Sequence, residues 1–370
     1  MSRISSLLET LVLVTGRLAH APQQIDTALV KRVVIIQNAK LGDMVCTTPL
    51  FRAVRTHRPD VRICVVGNVV NKELLAGHPD VDRYIVFNTR DLATTLQEIR
   101  AFGADYACVC TPDADAIKVL MHARVPTIIV PKVVNGYCPW QTLTYRILRE
   151  AVTSVPHRMC TYAPREYLRL LEPLGIHESR TDKALTFTPE AKERARELLA
   201  RADERMRIGI APTAGNKIKE WPAERFAAVA DNCIKKHNAT VFVVGSPNDV
   251  DLAVDMQRQM GHAERVVDTT GKLSLDELKA FIAGLDLFVS VDTGPIYVAE
   301  AFGVPTVDIV GPMDEQEQPP MGVKHKVVIA ERQEPQLHIM NARLYDAVEA
   351  RRQVEDISVD MVTSAITELL

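Results

Sequence analysis

Residues 287–312 read LFVSVDTGPIYVAEAFGVPTVDIVGP. An apolar, β-branched run stops at Asp292, turns through Thr293, Gly294 and Pro295, and resumes with helical spacing. A second apolar run, TVDIV, ends at Gly311–Pro312. Strand, helix and strand in so short a span are the signature of a parallel sheet with a crossover helix. Ligands of such sheets bind at the carboxyl ends of the strands, so the DTGP turn marks both a fold and a candidate site.

The same alternation runs through the chain on either side. RVVIIQ (32–37) precedes a helix from about Asp43 to His57, and VRICVVG (61–67), VDRYIVF (81–87), YACVC (106–110) and PTIIV (126–130) are further strands. LATTLQEIRAF (92–102) and REYLRLLEPLGI (165–176) have helical spacing. After a polar bridge the pattern restarts with RIGIAP (207–212), TVFVVG (240–245) and ERVVD (264–268), separated by helices over 222–236, 249–260 and 274–283. The chain therefore predicts an α/β fold of two doubly wound, Rossmann-like domains, residues 1–180 and 181–350. A final helix over 351–370 is expected to pack back toward the first domain. Two such domains facing one another leave a central cleft between their strand ends.

Bulk properties narrow the function. With 370 residues, 47% apolar and 25% charged, the chain can fill two cores. A net charge of −3 argues against a dedicated nucleic-acid binder. The balance is uneven: up to Ile176 there are 21 Lys/Arg against 15 Asp/Glu, and beyond it 23 against 32. A basic front half suits an acidic substrate. Seven scattered cysteines without a CxxC pair, and no secretory signal, point to a reducing, cytoplasmic compartment. ISSLLETLVLVTGRLAH (4–20) is amphipathic, too short and polar to span a bilayer, and reads as an ordinary surface helix or a peripheral membrane contact.

Each strand exit delivers candidate chemistry. In DTGP, Gly294 admits close approach of a ligand and Pro295 opens a helix whose free N–H groups favour phosphate. Asp292 or Thr293 equally well reads as a helix cap. PTAGNKIKEWP (212–222) places Thr213, Gly215, Lys217 and Lys219 at a strand–helix junction, a phosphate cradle without P-loop spacing or a solvated loop with a Trp plug. KLGDMVCTTP (40–49) offers Asp43, either an N-cap with Thr47 and Pro49 in the first turn or a general base. PDAD (112–115) is a weak metal candidate that a strand-exit turn explains as well. No zinc spacing, GxSxG elbow or GxGxxG fingerprint occurs.

Taken together, VVIIQNAKLGDMVCTTPLFRAVRTHRPD, APTAGNKIKEWPAERFAAVA, VVGSPND and LFVSVDTGPIYVAEAFGVPTVDIVGPMD resemble the glycosyltransferase family 9 heptosyltransferases, from Lys31 to about Pro320. The resemblance implies a GT-B fold and transfer of heptose from ADP-heptose to the inner core of lipopolysaccharide, without metal or other cofactor. It implies Asp43 as the base that deprotonates the acceptor hydroxyl. Donor contacts fall on Thr213, Lys217 or Lys219 at the phosphates, Asp249 near the ribose and Leu273 at the adenine. Asp292, Thr293 and Gly294 form the donor-binding turn. Two positions depart from the family pattern: Tyr297 stands where a His is usual, and Lys40 stands in NAKL before the GD pair, on the acceptor side.

The implied reaction is an inverting single displacement. Its partners are a nucleotide-sugar donor and an anionic glycolipid or glycan acceptor, at the cytoplasmic face of the inner membrane. A GT-B enzyme with another nucleotide sugar, an epimerase on the same fold and a non-catalytic nucleotide-sugar-binding relative are the alternatives.

Overall fold

The structure, a computed structural model, describes residues 3–19 and 26–370. These divide into two compact units, one of residues 1–182 with 339–341, the other of residues 183–338 with 342–370. The first unit contains β1 (Arg32–Gln37), β2 (Arg62–Gly67), β3 (Arg83–Val86), β4 (Tyr106–Val109), β5 (Thr127–Val133) and β6 (Thr153–His157). They form one six-stranded sheet in the order β3-β2-β1-β4-β5-β6, every pair parallel.

The second unit repeats the plan. It contains β7 (Met206–Ala211), β8 (Ala239–Val243), β9 (Val266–Asp268), β10 (Leu287–Val291), β11 (Thr306–Ile309) and β12 (His325–Val328). Their order is β12-β11-β10-β7-β8-β9, again all parallel. Each unit is thus a doubly wound Rossmann-like sheet. In each, the winding reverses between the first and fourth strands, where ligands of such sheets bind.

Inner strands are apolar throughout because both faces are covered by helices. Val33, Val34, Ile35 and Ile36 are all buried, as are Leu287, Phe288, Val289 and Val291. The two edge strands that sequence spacing did not predict, β6 and β12, lack this signal. β6 reads TSVPH and carries Pro156, which an edge strand tolerates; β12 reads HKVV. The predicted helix at 165–176 divides into an α-helix, Ala163–Leu168, and a 3-10 turn, Arg169–Leu174, containing Pro173.

The last segment also differs from expectation. Helices Ala347–Glu355 and Val359–Leu369 contribute Val354, Ile357, Val362 and Ile366 to the core of the second unit, beside Trp221 and Val307. Trp221 is buried and donates its indole N–H to the carbonyl of Ile357 at 3.0 Å. That aromatic anchor fixes the terminal helices on the second sheet, rather than sending 351–370 back to the first unit.

At the other end, helix Arg3–Ala19 packs on the first unit through Thr10 and Val14. Glu9, the one acid in its apolar run, pairs with Lys118 at 2.9 Å and His122 at 3.1 Å. Leu7, Leu8, Leu11, Val12 and Leu18 remain exposed. Among the described residues no helix is long and apolar enough to cross a membrane. All seven thiols are free; six are buried and Cys160 is exposed.

Helix Leu41–His57 starts two residues earlier than expected, and Pro49, its ninth residue, lies in its interior rather than in its first turn. Proline removes the hydrogen bond to the carbonyl four residues back, here Val45. The hydroxyl of Thr48 replaces it, donating to Val45 O at 2.8 Å in a buried setting. Thr48→Val, which keeps the shape and removes the donor, is expected to destabilise the first unit by about 1–3 kcal/mol. A lower urea midpoint, restored by Thr48→Ser, is the measurement that checks this.

Candidate functional site

In the second unit the predicted donor residues all lie at strand exits. β10 ends at Val291, and Asp292 follows with its N–H bonded to Ile309 O at 3.2 Å. Thr293 is the N-cap residue of helix Gly294–Ala301, with Pro295 second in the helix, but no side chain caps that end. The capping alternative for Asp292 and Thr293 therefore gives way. Asp292 is instead turned to one side, where Oδ2 accepts from Lys219 Nζ at 2.8 Å and Oδ1 accepts from the Tyr297 hydroxyl. Lys219 comes from the loop after β7, Asp292 from the loop after β10, and those adjacent strands are the reversal point of the sheet.

Pro295 has no N–H and that of Ile296 bonds Thr293 O at 3.1 Å, so the helix start offers the Gly294 N–H, which with the lysine beside it forms a site suited to an anion. Lys219 has three N–H donors and uses one on Asp292. Its side chain is 16% exposed and that of Asp292 is 9% exposed, so the pair sits in a strongly desolvated position that still opens to solvent. Thr213 is buried in the same loop. Glu220, which sequence reading passed over, organises that loop by accepting from Ala214 N at 3.1 Å and from Lys217 Nζ at 2.7 Å. Lys217 is largely exposed; its pairing with Glu220 raises its pKa.

The remaining two candidates occupy neighbouring exits. Asp249 accepts from the N–H and hydroxyl of Ser246, closing a capping box, so its visible role is the cap. Leu273 is half-buried after β9, ahead of the helix Leu275–Ala283 capped by Ser274. The two loops clasp through Gly271 N to Gly245 O at 2.9 Å. Gly271 has φ 70°, and a Cβ there would meet Pro247 Cα at 2.9 Å. The glycine is required by both conformation and space.

Behind the Lys219–Asp292 pair lie groups that no local motif announced. Asp308, on β11, is 1% exposed, and its Oδ1 has no hydrogen-bond partner among the described residues. Burial first, and then the charge of Asp292, push its pKa well above the usual carboxylate range. Lys183 pairs with Glu300 at 2.6 Å, its ammonium 5.9 Å from the centroid of the Tyr297 ring. Tyr297 thus serves Asp292 and packs under Lys183.

In the first unit the exits of β1 and β4 hold Asn38, Lys40, Asp43 and Asp113. Lys40, exposed, is at the N-cap position, and Asp43 is the third residue of helix Leu41–His57, half-buried. Asp43 is therefore not the N-cap that one reading gave. Its turn is fixed by Thr47, whose hydroxyl donates to Asp43 O at 2.7 Å and accepts from Gln37 Nε2 at 3.1 Å. Asp113 caps helix Ala114–His122 through Ala116 N at 3.0 Å and accepts from Asn38 Nδ2 at 3.2 Å. Of the acidic pair at 113–115, Asp113 is accounted for by that cap, and Asp115 lies in the first turn of the helix.

One cluster has ligand-type side chains distant in sequence. Asp314, Glu317 and His338 bring one ligand atom each within 4.8 Å of one another. His338 Nδ1 lies 3.3 Å from Asp314 and 3.6 Å from Glu317, and hydrogen bonds to both raise its pKa to about 9. At neutral pH the cluster is an imidazolium between two acids; a metal ion there would have to displace that proton. Because the folded value exceeds the ordinary 6.5, the stabilisation is whole below 6.5 and is lost as pH rises through about 9. The thermal midpoint should fall from pH 7 to 9 in the wild type, and fall less in His338→Gln.

Residues 161–344 match the family described as glycosyltransferase family 9 (heptosyltransferase). Lipopolysaccharide heptosyltransferase 3 of Escherichia coli K12 is 25% identical over 282 residues, 74% of this chain and 80% of that one. A family 9 glycosyltransferase structure from Veillonella parvula superposes with TM-score 0.74 at 23% identity, covering 92% of this chain and 97% of that chain. The E. coli ADP-heptose lipopolysaccharide heptosyltransferase II superposes with TM-score 0.71 at 19% identity, covering 91% and 98%.

Proposed function

Since the chain is a glycosyltransferase of family 9, with the two-domain GT-B fold, we propose that it transfers heptose, or a closely related sugar, from an ADP-sugar to a lipopolysaccharide-core acceptor. The observation that carries this reading is the second-unit constellation: Lys219 held at 2.8 Å by Asp292, beside the uncapped start of helix Gly294–Ala301. A diphosphate bound there meets an ammonium and the Gly294 N–H. Thr213 lies in the same loop, while Asp249 and Leu273 supply the adjoining exits for ribose and base.

In this reading the acceptor hydroxyl attacks the anomeric carbon from the side opposite the diphosphate. The new C–O bond forms as the bond to the leaving phosphate oxygen breaks, which inverts the anomeric centre. Asp43 of the first unit takes the hydroxyl proton, and the electron pair leaves on ADP. Negative charge on the leaving diphosphate is met by Lys219 and the Gly294 N–H, in place of a metal ion. Tyr297 is engaged with Asp292 and has no charge to offer, so neutralisation rests on Lys219. Lys40, exposed beside Asp43, suits a phosphorylated or otherwise anionic acceptor. The exposed leucines of helix Arg3–Ala19 support peripheral contact with the cytoplasmic membrane face, where such a glycolipid is presented.

Two variants separate the roles. Asp43→Asn should abolish transfer in a product assay and leave ADP affinity unchanged by calorimetry; undiminished turnover would remove Asp43 from the mechanism. Lys219→Ala should lower kcat/KM by a factor corresponding to about 2.7–4 kcal/mol. Comparing melting shifts with ADP, GDP and UDP tests the nucleotide directly, since a ligand that binds the folded form raises its midpoint.

A further inference from the structure

The floor of the donor site contains two carboxyl groups and one lysine. β10 and β11 run in register with Ser290 opposite Asp308 and Val291 opposite Ile309. Side chains alternate along a strand, so Ser290, Asp308 and the following Asp292 project to one face. That face is covered by helix Gly294–Ala301, which brings Tyr297 and Glu300. The opposite face, with Val307 and Ile309, belongs to the core that includes Val362 and Ile366. Ser290 Oγ shares its single proton between Ala211 O and Val291 O, at 3.2 and 2.7 Å, and has none left to donate to Asp308. Asp308 is consequently a buried carboxyl with an oxygen unmet among the described residues, behind the one ion pair that faces the anion site.

From this placement, and resting on the donor reading above, we propose that Asp308 is a positioning residue of the donor site. Kept as the neutral acid, it backs the Asp292–Lys219 pair so that the lysine stays directed toward a bound nucleoside diphosphate. Were Asp308 ionised, two carboxylates would share one ammonium. The floor would then carry a net negative charge, drawing Lys219 inward and repelling the diphosphate. The charged groups around it are consistent with neutrality. Asp292 and Glu300 oppose its ionisation, and Lys219 alone among its neighbouring charges favours it. Lys183 is paired with Glu300, and on β12 His325 is hydrogen-bonded to Thr306 at 2.8 Å and kept neutral by burial, its pKa near 4.

The protonation and the positioning can be tested separately on the full chain. A carboxyl whose folded pKa is raised contributes stability that is whole below its ordinary 3.8 and lost as pH rises toward the folded value. As pH rises above 3.8 the unfolding constant of the wild type should therefore rise relative to that of Asp308→Asn, by at most about tenfold per pH unit. Parallel stability curves would overturn the proposal. In calorimetry with ADP at pH 7, Asp308→Ala should bind about tenfold more weakly and Asp308→Asn should recover most of the loss, because the amide is a neutral isostere. An alanine variant that binds like wild type, or an asparagine variant as weak as alanine, sinks the Asp308 role while leaving the donor reading intact. Wild type that binds none of ADP, GDP and UDP sinks the donor reading, and the inference with it.

Discussion

Where β7 and β10 lie side by side, their following segments leave on opposite faces of the sheet, and the gap between those segments is the one place where side chains from both converge at the strand ends. Lys219 and Asp292 meet there at 2.8 Å. The pair ties two loops together, leaves the start of helix Gly294–Ala301 uncapped, and keeps a cation beside it. Removal of the lysine alone would leave a nearly buried carboxylate without its partner, a loss on the order of 3–5 kcal/mol for well-buried pairs. Function and local stability are therefore hard to separate at this position.

The two units have the same strand order but put different chemistry at the equivalent point. In the first, Asn38 donates to Asp113, which is itself a helix cap, and Asp43 stands one turn into the helix after β1. In the second, a lysine and an acid face each other above the buried Asp308. An arrangement with acidic and amide groups suits hydroxyl-rich ligands. One with a lysine at the start of a helix suits phosphate. A single topology thus carries different polar chemistry at the equivalent point of its two sheets.

Much of this was legible because it was local. Apolar runs of β-branched residues marked ten of the twelve strands, and the DTGP turn announced its helix with Pro295 and its strand with LFVSV. Of the four edge strands, β6 and β12 were missed because TSVPH and HKVV carry no apolar run like those that marked β3 and β9. The end of the chain was misplaced because amphipathic spacing says which face of a helix is buried but not against which sheet. Trp221, 136 residues before its partner Ile357, decided that. Asp308, Lys183 and Glu300 were silent for the same reason: in TVDIV an acid within a strand looks like an edge or an error until the register places it behind Asp292. Asp249 shows the reverse case, in which a plausible ligand residue has a nearer use as a cap.

Burial also sorts the thiols. Within the first unit, loss of hydration pushes Cys64 up to about 12 and raises Cys108 and Cys138. In the second, Cys233 is pushed up to about 12. Thiolate is the reactive form, so these side chains are poor nucleophiles as well as inaccessible ones. Cys160 alone among the seven is exposed. A water-borne reagent therefore meets Cys160 before any of the six buried thiols.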